Sequence, residues 1–358
     1  MDMKTLITLF FILSAFILST EGCNKRENRT KQGRVFIPKD AKCNASILEL
    51  DIQKQLKSPI TTLVLPIIYS VVFIVGLPAN VIALWVLAFK IKKIPSTLLL
   101  LNLAASDLLF IVALPFKIMY HFFGNNWIFG EIMCRTVISA FYGNMYCSIY
   151  FLMAISIDRY IALVHPFSCK GLRGWRASII ICTAVWLIVV PGSSIFLLVP
   201  QTKCFEELDI TTCHDIWATC SGYEWYNYYF LGLFTMGFAI PLIVVLFCYI
   251  PVVVVLIKKR DSYRSVVRVI LLVLLTFIVL FTPSNILLIL HYLEKDWERH
   301  NQLYMWYILA LSLTSFNSCI DPFIYFYVSH DFREVVKKAL SVGKEENSES
   351  SKSTKRSH

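Results

Sequence analysis

Apolar and polar positions divide the chain into seven long apolar stretches joined by short polar connections. The stretches run over about Leu63–Phe89, Thr97–Phe122, Ile132–Val164, Ala177–Val199, Tyr226–Ile257, Val266–Leu293 and Leu303–Val328. Each reaches the roughly 20 residues that a helix needs to cross about 30 Å of hydrocarbon. A helix also satisfies its own backbone groups where no water can. The pattern therefore predicts an all-α membrane protein, a bundle of seven transmembrane helices over residues 63–328. Residues 329–340 contain Asp331-Phe332-Arg333-Glu334-Val335-Val336-Lys337-Lys338-Ala339-Leu340, which reads as a short amphipathic eighth helix on the inner leaflet.

The ends differ from this core. Residues 1–22 read as a secretory signal peptide, with Lys4 as its positive n-region, Leu6 to Leu18 as its apolar stretch, and Thr20 and Gly22 as small residues near the cleavage point. An uncleaved anchor is the alternative. Residues 23–62 form a polar tail carrying two N-glycosylation sequons, at Asn28 and Asn44, which fit an extracellular segment. Residues 341–358, rich in Ser, Lys and Glu, read as a disordered cytoplasmic tail with Ser348, Ser350, Ser351, Ser353 and Thr354 open to phosphorylation.

Composition supports the membrane reading and charge orients it. Of 358 residues, 57% are hydrophobic and 16% charged, with mean hydropathy +0.63; soluble domains carry about 25% charge. The net charge of +10 is not spread as a nucleic-acid binder would spread it. Basic residues cluster in alternate connections: Lys90, Lys92 and Lys93; Arg159, Lys170, Arg173 and Arg176; Lys258, Lys259, Arg260, Arg264 and Arg268. The opposite loops hold Lys203, Lys295 and Arg299. The positive-inside rule puts the N-terminus outside and the C-terminus in the cytosol of a multi-pass plasma-membrane protein.

Seven-helix proteins include receptors, light-driven pumps or sensors, intramembrane enzymes and transporters. A retinal protein needs a lysine within its last span, and Leu303–Val328 has none. A membrane metallohydrolase needs clustered ligands within the bilayer, whereas His121, His165, His214, His291, His300, His330 and His358 fall at span ends, in loops or in the tail. No repeated halves mark a transporter. A receptor, and not an enzyme, is the expectation. Buried polar residues support it: Asp107 sits mid-span, and Asn80, Asn102, Ser148, Asn317, Ser318 and Asp321 are spaced to converge on it. Such residues make interhelical hydrogen bonds or line a water- and sodium-filled cavity, with Na⁺ at Asp107 as the candidate ion.

The motifs Gly76-x-x-x-Asn80, Leu103-Ala104-x-x-Asp107, Asp158-Arg159-Tyr160, Trp186, Pro241 with Tyr249, Phe281-x-Pro283 and Asn317-x-x-x-Asp321-Pro322-x-x-Tyr325 occur in order. On these the chain resembles the rhodopsin-like class of G-protein-coupled receptors from Leu63 to Leu340. The resemblance implies a switch in which Asp158 holds Arg159 against its own helix until a G protein inserts. Tyr249 and Tyr325 would then meet near Arg159, and Pro283 and Pro322 provide kinks about which the inner halves swing. Phe281 stands where many members of the class have tryptophan.

Narrower strings are Ile210-Thr211-Thr212-Cys213-His214-Asp215, Gly124 to Glu131, Phe141 to Ser148 and Phe281-Thr282-Pro283-Ser284-Asn285. They are similar to the protease-activated (thrombin-type) receptors, nearest to the second and third subtypes. That family implies an extracellular serine protease, trypsin-like or thrombin, that cuts the N-tail so that the new terminus acts as a tethered agonist. The candidate cut follows Arg34 and exposes Val35, Phe36, Ile37, Pro38, Lys39 and Asp40; Lys25, Arg26, Arg29, Lys31, Lys39 and Lys42 are competing basic sites. A flexible tail between Val35 and Leu63 reaches roughly 30 Å, and tethering supplies about millimolar effective concentration.

The receiving surface needs a carboxylate for the new amine and aromatic walls. Asp215 is the first candidate within an acidic loop that includes Glu206, Glu207, Asp209 and Glu224; His214, Tyr142, His291, Tyr292, Tyr304 and Tyr307 are the ring candidates. The resemblance also implies a bridge between Cys134 and Cys213. Cys23, Cys43, Cys204 and Cys220 are further outer thiols with three pairings open, one of which (Cys23 with Cys43) would retain the clipped peptide. Heterotrimeric G proteins, receptor kinases, arrestin and membrane lipids are the implied partners. The alternatives are a receptor for a diffusible peptide or lipid, and a signalling-poor co-receptor for a protease.

Overall fold

The computed structural model describes residues 54–92, 94–165, 174–205, 210–214, 224–258, 264–293, 297–329, 331–336 and 338. Among them are seven helices of membrane-spanning length: α1 Lys54–Lys90, α2 Pro95–Phe122, α3 Gly130–Val164, α4 Trp175–Leu198, α5 Tyr229–Val254, α6 Val267–Leu290 and α7 Leu303–Tyr327. The side that faces away from the bundle is apolar: Ile74, Phe89, Val112, Ile180, Leu187, Phe247, Ile250, Leu271 and Phe323 are all exposed. Such a belt is unstable in water and is what a hydrocarbon solvent requires.

The ring closes through α7 packing on α1, α2 and α6, while α3 packs on α2, α4 and α5. α3 is the central pillar, buried almost without break from Val137 to Ser156. At one end of the bundle β1 (Thr202–Phe205) and β2 (Ile210–Cys213) form an antiparallel hairpin, pairing Thr202 with Cys213 and Phe205 with Ile210. At the other end residues 331–336 form the expected short helix. Phe332 is buried there with its ring 6.4 Å from that of Tyr325.

Three features depart from the sequence reading. First, α1 begins before Leu63. Thr61 Oγ1 donates to Leu56 O at 2.8 Å and Thr62 Oγ1 to Ser58 O at 3.0 Å, so side chains that count as polar in a hydropathy sum bond to nearby backbone carbonyls at the helix start. Second, α5 and α6 each contain a π-helical turn, Thr235–Ala239 and Thr276–Phe281. In α6 the ladder around Pro283 is supplemented by side chains, with Thr282 Oγ1 donating to Phe277 O at 2.6 Å and Asn285 Nδ2 to Phe281 O at 2.9 Å.

Third, α7 is interrupted at Ser315–Phe316, ahead of Pro322. The turn there is tightened by bonds three residues apart, including Ser318 N to Ser315 O at 3.2 Å and Cys319 N to Phe316 O at 2.9 Å. Pro322 has no N–H to offer Ser318 O, its partner four residues back. Asn80 Nδ2 of α1 donates to that carbonyl instead, at 2.6 Å.

Candidate functional site: a polar axis through the bundle

The hairpin is fastened over its end of the bundle. Cys134 near the start of α3 is bonded to Cys213, as the resemblance implied. Glu131, one turn earlier, accepts from Gln201 N at 2.7 Å, Thr202 N at 2.8 Å and Thr202 Oγ1, while Arg135 pairs with the same carboxylate. Trp127 N donates to Thr211 O at 2.7 Å and Asn126 Oδ1 accepts from Thr211 N. The α2–α3 turn bringing them there passes through Gly124 and Asn125, both at positive φ, where Asn is among the few side chains tolerated. Asn125 is held by His121 Nδ1 at 2.7 Å and donates to Leu56 O at 2.6 Å. Cys204 is also disulfide-bonded, and its partner lies outside the described residues. Lys203 packs with its ammonium 5.5 Å from the ring of Phe205, and burial lowers its pKa from the usual lysine value.

Beneath the hairpin the ring candidates meet. Gln201 Nε2 donates to Phe196 O and Val199 O, which leaves its Oε1 to accept from His214 Nδ1 at 2.7 Å. His214 Nε2 is then the acceptor for Tyr142 Oη at 3.2 Å, and Tyr307 Oη lies 3.2 Å from Tyr142 Oη. A directed chain from Tyr307 through Tyr142 and His214 to Gln201 joins α7, α3 and the hairpin. Phe196 stacks on Tyr142 with centroids 4.5 Å apart, and Tyr304 lies 6.4 Å from Tyr307. His214 itself is at positive φ. Gln201 and Phe196 are members that sequence reasoning missed; no pattern marks a glutamine before a strand as a histidine's partner. Arg34 to Asp40, Asn28, Asn44 and Asp215 lie outside the described residues, as do the side chains of His291 and Tyr292.

Midway along the axis, Asp107 is fully buried. Its Oδ1 accepts from Asn144 Nδ2 at 2.9 Å and Ser318 Oγ at 2.8 Å, and its Oδ2 from Tyr325 Oη at 3.4 Å. Asn317 Nδ2 donates to Asp321 Oδ2 at 2.8 Å. Ser148 Oγ, Asn317 Oδ1 and Asp321 Oδ1 are buried with no hydrogen-bond partner among the described residues. This set of inward oxygens beside two carboxyl groups is the ligand chemistry of a hard cation. Two expected members are elsewhere: Asn80 serves Ser318 O, and Asn102 accepts from Trp186 Nε1 at 3.0 Å, tying α2 to α4. Asn144 joins in their place. It lies in the string Phe141 to Ser148, one turn before Ser148 on the same face of α3.

At the far end Asp158 Oδ2 lies 2.8 Å from Arg159 Nη2 and accepts from Ser96 Oγ at 3.2 Å. Arg159 Nε and Tyr249 Oη are buried without a hydrogen-bond partner among the described residues. Tyr160 points away, bonded to His165 at 3.1 Å. Tyr325 reaches Asp107 rather than Arg159, so the meeting of tyrosines expected of an open bundle has not occurred in this arrangement.

Seven helices around a central α3, a neighbouring Asp158–Arg159 pair and a carboxylate at mid-bundle define a seven-helix receptor of the rhodopsin type. Residues 79–325 match the family described as 7 transmembrane receptor (rhodopsin family). Proteinase-activated receptor 3 of Homo sapiens is 44% identical over 275 residues, covering 76% of this chain and 74% of the relative. Proteinase-activated receptor 4 of Rattus norvegicus is 40% identical over 86% of this chain and 78% of the relative, and proteinase-activated receptor 2 of Homo sapiens 38% identical over 92% and 87%. The chain belongs to the proteinase-activated receptors, within the rhodopsin family of G-protein-coupled receptors. It is a multi-pass plasma-membrane receptor and not an enzyme.

Proposed function

We propose that this receptor is switched on by an extracellular serine protease, trypsin-like or thrombin, cutting after Arg34. The new terminus from Val35 to Asp40 then folds back as a tethered agonist. The observation that carries this reading is the tyrosine–histidine chain beneath the hairpin: Tyr142 and Tyr307 converge on His214, the residue that precedes Asp215 in sequence. A new ammonium would meet the carboxylate of Asp215, and Phe36 and Ile37 would meet the rings. A site covered by a doubly fastened hairpin suits a ligand delivered at about millimolar effective concentration by its own tether.

The charge asymmetry and sequons put the N-tail and the hairpin outside and Arg159 in the cytosol. There Asp158, Arg159, Tyr160, Tyr249 and Tyr325 form the switch that admits a heterotrimeric G protein, and the Ser-rich tail engages receptor kinases and arrestin. Na⁺ between Asp107, Ser148, Asn317 and Asp321 would hold the closed state, since two buried carboxyl groups in contact call for a proton or a cation between them.

Calcium release and G-protein activation in transfected cells test the reading, with trypsin and thrombin applied to wild type and Arg34→Gln. Loss of the protease response in the variant, with full activation by free Val-Phe-Ile-Pro-Lys-Asp, is the expected result. An undiminished response in Arg34→Gln moves the cut to another basic residue, and silence to both protease and peptide at normal surface expression refutes the tethered agonist.

A further inference from the structure

A cavity of about 140 Å³ lies between α3, α4 and α5, beside the polar axis and sharing Tyr142 with it. Its back wall is the tyrosine face of α3, Tyr142, Tyr146 and Tyr150, and its sides include Gly192 of α4 and Gly232 and Gly237 of α5. Ile188 and Met236 stand at its mouth on the exposed apolar belt, at 52% and 59% exposure. The cavity therefore opens sideways, toward the hydrocarbon of the bilayer.

The hydroxyls of four lining residues are bonded within the protein. Tyr150 Oη donates to Met236 O at 2.9 Å, Tyr229 Oη to Gly192 O at 2.9 Å and Ser193 Oγ to Val190 O at 3.3 Å. Tyr142 Oη is engaged by His214 and Tyr307. With these hydroxyls bonded inside the protein, the rings, the glycines and the aliphatic side chains face the space. Apolar cavities of about 150 Å³ stay dry and take up hydrocarbon, and an unfilled one forfeits the dispersion contacts of its lining.

We propose that this cavity is a membrane-facing site for one acyl chain of a bilayer lipid, entering between α4 and α5. The occupant would touch two of the devices that join α3 to its neighbours. One is Tyr142, which also belongs to the chain beneath the hairpin. The other is the π-helical turn Thr235–Ala239, where Met236 O receives Tyr150 and where a Cβ on Gly237 would lie 2.6 Å from the Tyr146 ring. Lipid bound there lies against the element of α5 with the least regular ladder.

The test uses the full-length receptor in lipid nanodiscs containing phosphatidylcholine with a diazirine in its acyl chain, followed by peptide mapping after irradiation. Labelling at the α3, α4 and α5 lining is expected in wild type. Gly232→Leu and Gly192→Leu each place a side chain where a new Cβ meets nothing within 4 Å, filling the cavity from opposite walls. Either should reduce lining labels about tenfold relative to labels at Leu271 and Ile278 on the α6 belt, and the second variant stands if the first fails to reach the surface. Lining labels unchanged in both variants, or none in wild type while the α6 belt is labelled, would overturn the proposal. Labelling by a diazirine sterol and not by the acyl probe would overturn the assignment of an acyl chain.

Discussion

The two ends of the bundle are built on opposite terms. At the hairpin end Glu131, Gln201, His214, Asn125 and Thr211 have their polar atoms joined into a web, and a disulfide locks it. Gln55 Oε1, Ser58 Oγ and His121 Nε2 are exceptions there, each buried without a hydrogen-bond partner among the described residues. At the far end Arg159 Nε and Tyr249 Oη are buried without a hydrogen-bond partner among the described residues, and Arg159 is restrained by its own neighbour in sequence. A buried polar group without a partner costs about 1–3 kcal/mol. The far end therefore stores a preference for some arrangement that supplies partners, while at the hairpin end the disulfide and the web around Glu131 and His214 resist rearrangement.

The contrast can be broken most severely at the disulfide. Cys134 and Cys213 are separated by 79 residues, and the loop they close is worth at most about 4.5 kcal/mol by chain entropy. Cys213→Ser should lower surface expression and thermal stability more than any single substitution at the far end. A normal melting temperature in detergent would mean that Glu131 and Trp127 hold the hairpin unaided.

Asn80→Ala removes the donor that replaces the missing N–H of Pro322, and should lower stability by about 1–3 kcal/mol. The second arm is sharper. In a Pro322→Ala background the backbone regains its own donor, so Asn80→Ala should then cost much less. Equal costs in both backgrounds would show that the Ser318 carbonyl is not what Asn80 serves.

Asp158→Asn removes the restraint at the unsatisfied end. The pair is partly exposed, so a shift of about 1 kcal/mol is expected, or roughly fivefold more basal nucleotide exchange in membranes. Unchanged basal exchange would put the restraint on Arg159 elsewhere. Smallest is Tyr142→Phe, which deletes one hydroxyl from the chain between Tyr307 and His214 at about 0.5–1.5 kcal/mol. Its melting temperature should fall less than that of Asn80→Ala; a larger fall would make the hairpin-end web the more cooperative of the two.

Much of this architecture was legible in sequence, for reasons that also explain what was not. Spans were readable because hydrocarbon imposes length and apolarity on every helix. Asp107, Ser318, Asn317 and Asp321 came together as expected because a polar side chain in such a helix has few places to turn. Asn80 and Asn102 misled for the same reason inverted: each found a nearer partner, one a carbonyl exposed by Pro322, the other the indole of Trp186. The interruption at Ser315–Phe316 escaped notice because its cause is a set of local three-residue hydrogen bonds with no residue-type signature, whereas Pro322 is conspicuous and merely nearby. Gln201 and Phe196 were invisible because their role depends on the fold of the hairpin above them.

The bond from Asn80 to Ser318 has a mechanical reading. Asn80 Nδ2 to Ser318 O and Cys319 Sγ to Val72 O tie α7 to α1 at two levels, as an axle is held in a bearing. Sliding α7 along its own axis would break both bonds. The bearing opposes piston strokes, in part through an asparagine on a helix that carries none of the switch residues.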